Sequence, residues 1–168
     1  MNLTQQHDAD SGRYTYTCTL PGERHVFLGD AQLFDVRPAV GYAGDVSPQL
    51  AFVWWRAGEA VLVDVRSDAE REWVGFVPEA VPLAWKQWPG MVMNPGFDEG
   101  LRAAVPAGRK ALLLCRSGVR SIAAAKRATE LGIAAYNILE GFEGNPDAHG
   151  HRGQLGCWRF HGLPWRQN

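Results

Sequence analysis

Leu112-Leu113-Leu114-Cys115-Arg116-Ser117-Gly118-Val119-Arg120-Ser121 places one cysteine where an apolar run gives way to a short loop containing glycine and arginine. An apolar run bounded by polar turn residues reads as a buried strand, and the Ala-rich stretch behind it reads as a helix. Cys115 therefore faces a loop that leads into a helix N-terminus. Unpaired N–H groups at such an end carry roughly half a positive charge, and Arg116 and Arg120 add cations beside them. These surroundings favour a thiolate. A buried structural cysteine at a strand end fits the same geometry, so the loop residues themselves have to decide.

Beyond the loop, Ile122, Ala125, Ala128 and Leu131 recur every three residues and Gly132 ends the run, which predicts a helix over Ser121–Leu131. Tyr136–Leu139 reads as the strand that closes the sheet. Upstream, Ser47 caps a helix whose first position is Pro48, and Gly58 ends it. Ala60–Val65 is a continuous apolar strand of the kind buried on both faces of a parallel sheet. Ser67-Asp68-Ala69-Glu70 matches a capping box and opens a short helix. Val81–Trp85 reads as a strand, and Phe97–Val105 as a helix reached through the Pro- and Gly-rich stretch Trp88–Gly96. Strands alternating with helices predict an α/β domain with a mainly parallel, five-stranded sheet flanked by helices on both faces. In such sheets ligands collect at the carboxyl ends of the strands, where Asp64-Val65-Arg66 and Cys115 both fall.

The segment 1–43 reads as an N-terminal extension ahead of a domain over 44–168. Its first dozen residues are polar and read as loose. Tyr14–Leu20 is rich in strand formers, Pro21-Gly22 is a turn signal and Arg24–Leu28 returns, which predicts a hairpin. Leu33-Phe34-Asp35-Val36-Arg37 echoes Leu62-Val63-Asp64-Val65-Arg66. No remainder of a domain fits between the two copies, so a tandem repeat is rejected.

The string Cys115-Arg116-Ser117-Gly118-Val119-Arg120-Ser121 resembles the active-site loop of the rhodanese sulfurtransferases, in which a cysteine, a glycine three residues on and an Arg-Ser pair close a cradle around a sulfur atom. Leu62-Val63-Asp64-Val65-Arg66 with Glu70, then Gly75-Phe76-Val77-Pro78-Glu79-Ala80, resembles the family's first signature, with Val77 departing from the usual pattern. Leu139-Glu140-Gly141-Phe142-Glu143-Gly144, and Trp158 through Gly162-Leu163-Pro164-Trp165, resemble its closing strand and terminal helix region. The likeness runs from about Gly44 to Trp165 and implies a rhodanese-like fold. It also implies a sulfurtransferase in which Cys115 takes the outer sulfur of thiosulfate or a related anionic donor as a persulfide. A thiol or cyanide acceptor, or a protein thiol, then removes it.

In this reading the loop amides form an anion-binding nest, and Gly118 permits a turn that a side chain would obstruct. The substrate-binding set is Arg116, Ser117, Gly118, Val119, Arg120 and Ser121. Arg116 guides the anionic donor, and Arg120 either holds loop carbonyls or faces the substrate. Ser121 either donates to sulfur or caps the helix. Asp64, Arg66 and Glu70 read as structural supports. No metal or cofactor is called for.

Two rival functions are weighed. Phosphatases and arsenate reductases also set a cysteine in an anion cradle before a helix. Their cradle has five residues between cysteine and arginine, whereas Cys115 and Arg120 have four, and Leu114 stands where histidine is usual. A non-catalytic, regulatory or interaction module of the same family is weakened by the intact Cys115 and complete loop. Among lesser candidates, Cys157 reads as a structural cysteine rather than a resolving thiol. His149 and His151 lack the further ligands of a zinc site, and Trp85 and Trp88 are chosen for the mouth of the site.

With 168 residues, 46% of them hydrophobic, the chain can bury one substantial core. A net charge of −1 offers no broad basic field for nucleic acid. No segment approaches the roughly 20 apolar residues that cross a membrane, and Met1–Asp8 lacks the apolar core of a secretory signal. The expected location is the cytoplasm, without membrane or nucleic-acid partners. Three scattered cysteines, Cys18, Cys115 and Cys157, suit a reducing compartment better than a disulfide framework.

Overall fold

The computed structural model describes all residues, Met1–Asn168. Its centre is a five-stranded, all-parallel sheet of β4 (Gly44–Val46), β10 (Ala135–Ile138), β9 (Lys110–Leu114), β5 (Ala60–Asp64) and β6 (Val81–Pro82), in that spatial order. Strand numbers follow the chain; β1–β3 and β7–β8 belong to two smaller sheets. Four helices accompany the sheet: α1 (Pro48–Arg56), α2 (Asp68–Trp73), α3 (Phe97–Ala104) and α4 (Arg120–Glu130).

Side chains alternate across the central strands, so each strand feeds two cores. Leu62, Leu112, Leu114 and Ile138 join α1 residues Leu50, Phe52 and Val53 on one face. Val63, Ala111, Leu113 and Ala135 join Phe97 and Leu101 of α3 and Ala124, Ala125 and Ala128 of α4 on the other. Both faces are covered, which is why Ala60–Val63 of β5 and Ala111–Leu114 of β9 are apolar at every position rather than alternating.

The local signals act as read at most element ends. Ser47 Oγ accepts the Leu50 N–H at 3.0 Å with Pro48 behind it. Ser67 and Glu70 close both halves of their capping box. Three expectations need correction. Val81–Trp85 is a regular strand only over Val81–Pro82; the Leu83 and Trp85 N–H groups still donate to Asp64 O and Val65 O at 2.9 and 3.0 Å, and Pro82 leaves this edge strand without an outward N–H. Tyr136–Leu139 is not the closing strand: β10 lies inside the sheet, and the edge is the three-residue β4, too short to show a period. No terminal helix forms after Gly144; the chain ends in turns that tuck Trp158 into the α1-side core, with its Nε1 donating to Pro164 O at 2.9 Å.

The N-terminal residues form an antiparallel sheet of β1 (Asn2–His7), β2 (Tyr14–Leu20) and β3 (Glu23–Gly29). Pro21 and Gly22 make the two-residue turn between β2 and β3, with Gly22 at φ 76°. The first dozen residues are thus not loose, since six of them pair with β2. Every β1 side chain is exposed, so no apolar alternation marks it as a strand. Cys18, Leu20 and Phe27 pack with Phe52 on the α1 side, and Arg56 pairs with Glu23. This sheet covers α1 and lies on the face away from α4.

Asp64 and Arg66 lie at the end of β5 with no exposed surface. Arg66 Nε and Nη2 donate to the Asp64 carboxylate at 3.0 and 2.7 Å. Nη2 also donates to Gly75 O at 2.9 Å, and the guanidinium lies 4.1 Å from the Phe142 ring. One cation therefore joins β5, the turn after α2 and the segment after β10. Asp64→Asn leaves that cation buried without its counter-charge, which costs about 3–5 kcal/mol. Chemical denaturation should show this loss; a change below about 1 kcal/mol would contradict the role given to the pair.

Candidate functional site

Cys115 follows β9 directly, and the alternation that sends Ala111 and Leu113 toward α4 sends Cys115 there as well. Its Sγ accepts the Gly118 N–H at 3.1 Å and lies 3.1 Å from Ser121 Oγ. Gly118 sits at φ 91°, the left-handed region that the tight return of the loop requires.

The loop is shaped from behind by the segment that follows β10. Phe142 N–H donates to Cys115 O at 2.8 Å, and the N–H groups of Glu143 and Gly144 donate to Arg116 O at 2.9 and 3.0 Å. In a trans peptide the carbonyl and the next N–H point opposite ways. Drawing these two carbonyls toward Phe142–Gly144 therefore turns the N–H groups of Arg116 and Ser117 to the other side. Neither these amides nor that of Val119 donates to another backbone group. α4 starts at Arg120 with no side-chain cap, so its first turn also leaves donors for a ligand.

Arg120 donates to no loop carbonyl, and it stands on the cleft beside the loop. Its guanidinium grips Glu70 with both arms, at 2.8 and 2.6 Å, while Ser67 N–H and Oγ donate to the same carboxylate. The starts of α2 and α4 are thereby clamped together. Burial raises the Glu70 carboxyl, but the bonds from Arg120 and Ser67 outweigh it and hold the group down at about 2. Glu70 is more than a capping residue, and that second role was not visible in the local motif.

Ser121 is not a helix cap either: it lies inside α4, fully buried, bonded between Cys115 and Asn137. Arg116 and Val119 are exposed, whereas Ser117 and Gly118 are half-buried. Asp64 and Arg66 share the strand parity of Leu62, so they turn to the α1 side, across the sheet from Cys115.

A cleft of about 420 Å³ opens beside the loop. Trp73, Trp88 and Met91 form its apolar walls, and Glu70, Arg116 and Arg120 its polar side. Trp88, near the tip of the ribbon β7 (Lys86–Gln87) and β8 (Val92–Met93), is at the mouth as expected. Trp85 is not, because its ring packs edge-on against Phe97 at 4.8 Å. Trp73 takes that place, on the outer face of α2 where no core contact announces it.

Cys18 and Cys157 are free and buried, Cys157 against Gly144. Asp147 accepts the backbone N–H groups of His149 and His151, which makes their loop a tight turn. Tyr42, Asp45 and Asn137 belong to the site's surroundings and went unnoticed in the sequence. The available signal was Asn137, a polar residue inside an apolar strand at the parity of Ala135.

Comparison with known proteins agrees with this fold. The Rhodanese-like domain family matches residues 54–145. The crystal structure of Rv0390 from M. tuberculosis is 48% identical, with a TM-score of 0.68, over 76% of this chain and 99% of that one. An uncharacterized protein of Rickettsia conorii is 34% identical over 115 residues, 64% of this chain and 83% of the relative. A Rhodopseudomonas palustris structure described as a possible tyrosine phosphatase is 23% identical, with a TM-score of 0.48, over 73% of this chain and 83% of that one. A likeness that slight bears on no reaction.

Two outcomes follow from the geometry. A Cβ on residue 141 would stand 2.5 Å from Cys115 O and 2.6 Å from Arg116 C, at φ 61°. Gly141→Ala should cost about 1–3 kcal/mol from backbone strain alone, and it should change the alkylation rate of Cys115 in protein that still folds; unchanged values for both would contradict the shaping role. For Glu70, a depressed carboxyl contributes stability that is complete above its ordinary 4.5 and is lost as pH falls toward about 2. Glu70→Gln should lower stability at pH 7 by about 1–3 kcal/mol and flatten the acid slope between those values. Parallel acid titrations of the two proteins, followed by denaturation, measure the difference.

Proposed function

The chain belongs to the rhodanese-like domain family, and from that premise we propose that it is a sulfurtransferase that carries a sulfane sulfur on Cys115. The observation that supports this most is the cradle: Gly118 N–H on Sγ at 3.1 Å, with the amides of Arg116, Ser117 and Val119 free of other backbone acceptors. Such preorganised donors stabilise an anion as it forms.

In the first half-reaction the Cys115 thiolate attacks the outer sulfur of thiosulfate or a similar donor. The new Sγ–S bond forms as the old S–S bond breaks, and sulfite leaves with the electron pair. The persulfide's negative charge then lies on the outer sulfur, among the loop amides. In the second half-reaction cyanide, a small thiol or a protein thiol attacks that sulfur, and Cys115 departs as thiolate. Arg116, exposed at the cleft, attracts the anionic donor. The buried free thiols Cys18 and Cys157 suit a reducing cytoplasm, where we place the protein.

A cysteine phosphatase would need its loop arginine to grip the oxyanion, and Arg120 is already held by both oxygens of Glu70. An interaction module draws support from a different observation, the exposure of Trp73 and Trp88 at 75% and 62%.

Intact-mass measurement after thiosulfate treatment tests the proposal. Wild-type protein should gain one sulfur atom, Cys115→Ser should gain none, and cyanide should remove the label as thiocyanate. Absence of the adduct, with the Trp-lined mouth binding a protein partner instead, would favour the module. Phosphate release from a model ester that depends on Cys115 would favour the phosphatase.

A further inference from the structure

Behind Ser121 a chain of hydrogen bonds crosses two neighbouring strands, β10 and β4. Ser121 Oγ lies 2.5 Å from Asn137 Oδ1, Asn137 Nδ2 donates to Asp45 Oδ1 at 2.9 Å, and Tyr42 O–H donates to the same oxygen at 2.8 Å. Register explains the meeting. Asn137 and Asp45 are direct partners on β10 and β4, and both share the α4-facing parity of Cys115. Asn137 is 2% exposed, Ser121 not at all and Cys115 1%, so bulk solvent does not reach these groups.

The polarity of this chain is determined from its far end. An ionised carboxylate only accepts, so Asp45 requires Asn137 to present its NH₂ group, which leaves the amide oxygen toward Ser121. Tyr42 adds a second donor to Asp45, and burial followed by the Asp45 bond pushes its hydroxyl up to about 12, so it keeps its proton at neutral pH. Ser121 has one proton and two claimants, Asn137 Oδ1 and Cys115 Sγ.

In the thiol state both are satisfied. Ser121 donates to Asn137 while the Cys115 S–H donates to Ser121 Oγ. In the thiolate state one bond must fail. Either Ser121 turns to the sulfur and strands a buried amide oxygen, or it stays and points lone pairs at an anion 3.1 Å away. In the persulfide the charge has moved to the outer sulfur and the conflict is relieved.

We propose that Asp45 and Asn137 are positioning residues that hold the Ser121 hydroxyl proton away from the Cys115 sulfur, so that the free thiolate is stabilised by the loop amides alone and lacks the extra donor that Ser121 would otherwise supply. This deepens the sulfurtransferase reading and rests on it for the persulfide step, whereas the control of the thiol stands on geometry alone.

Other charges also face Cys115. Arg120 of α4 is within electrostatic reach, balanced by Glu70 of α2. The neutralised Asp64–Arg66 pair lies at the end of β5, and Arg116 is on the loop itself. α3 presents Phe97 and Leu101 to this layer, and its Asp98 is paired with Arg127 of α4. Asp45 is thus a negative charge whose field alone would also disfavour a thiolate, and the test has to separate field from polarity.

The measurement is the pH dependence of Cys115 alkylation by iodoacetamide in the full chain, with the modified residue located by peptide mass. Asp45→Asn lets the amide chain reverse, so that Asn137 donates to Ser121 and Ser121 donates to sulfur. The alkylation midpoint should fall by about one pH unit, a roughly tenfold gain in rate below the wild-type midpoint. In a Ser121→Ala background the same Asp45→Asn change should have little effect. Asn137→Leu removes the acceptor while keeping the Asp45 charge, and it too should lower the midpoint; it serves if Asp45→Asn fails to fold. Equal shifts with and without Ser121 would assign the effect to the field and overturn the proposal, as would an unmoved midpoint in Asp45→Asn or Asn137→Leu. Sulfur transfer is not read in this experiment, so failure of that activity and failure of this proposal are told apart.

Discussion

Three backbone hydrogen bonds, from the N–H groups of Phe142, Glu143 and Gly144 to the carbonyls of Cys115 and Arg116, give the cysteine loop its shape. Peptide planarity turns the fixing of two carbonyls into the aiming of two amides. The donors therefore exist before any ligand arrives, and a ligand need not reorganise them. Everything that positions Phe142–Gly144 therefore acts on the site. Arg66 lies under the Phe142 ring and holds Asp64 and Gly75 O, so it links the cradle to β5 from the far side of the sheet.

The sheet assigns roles by parity. Cys115, Asn137 and Asp45 turn to the α4 layer and form one polar line, whereas Asp64 and Arg66 turn to the α1 layer and form another. The first line touches the sulfur and the second holds the frame. Arg120 and Glu70 join the two helix starts that border the cleft, so Arg120 ties the frame together from within the lining of the cleft. That leaves Arg116 as the loop's solvent-facing cation, above a sulfur recessed beneath it. In the proposed sulfur transfer, a small anion drawn in by Arg116 would meet amides rather than guanidinium groups.

Much of this was legible from local pattern. The apolar run into Cys115, the Ser47-Pro48 start and the Ser67/Glu70 box each carry their own physical cause within a few residues, and each acts as read. What escaped had no local cause. β1 has no apolar period because both its faces meet water, and β4 is too short for any period. Trp85, expected at the mouth, instead packs its ring on Phe97, and Trp73 stands at the cleft, a choice made by contacts between elements.

By itself the sequence determined a parallel α/β frame with a cysteine at a strand end before a helix, because apolar runs, caps and glycine turns are short-range properties of the chain. Tertiary structure alone decided which groups surround that cysteine. The partner of Arg120 is 50 residues away and the bond between Asn137 and Asp45 spans 92, so no local motif can encode them. Such contacts arise only when strand register and side-chain parity bring distant positions to the same side of one sheet.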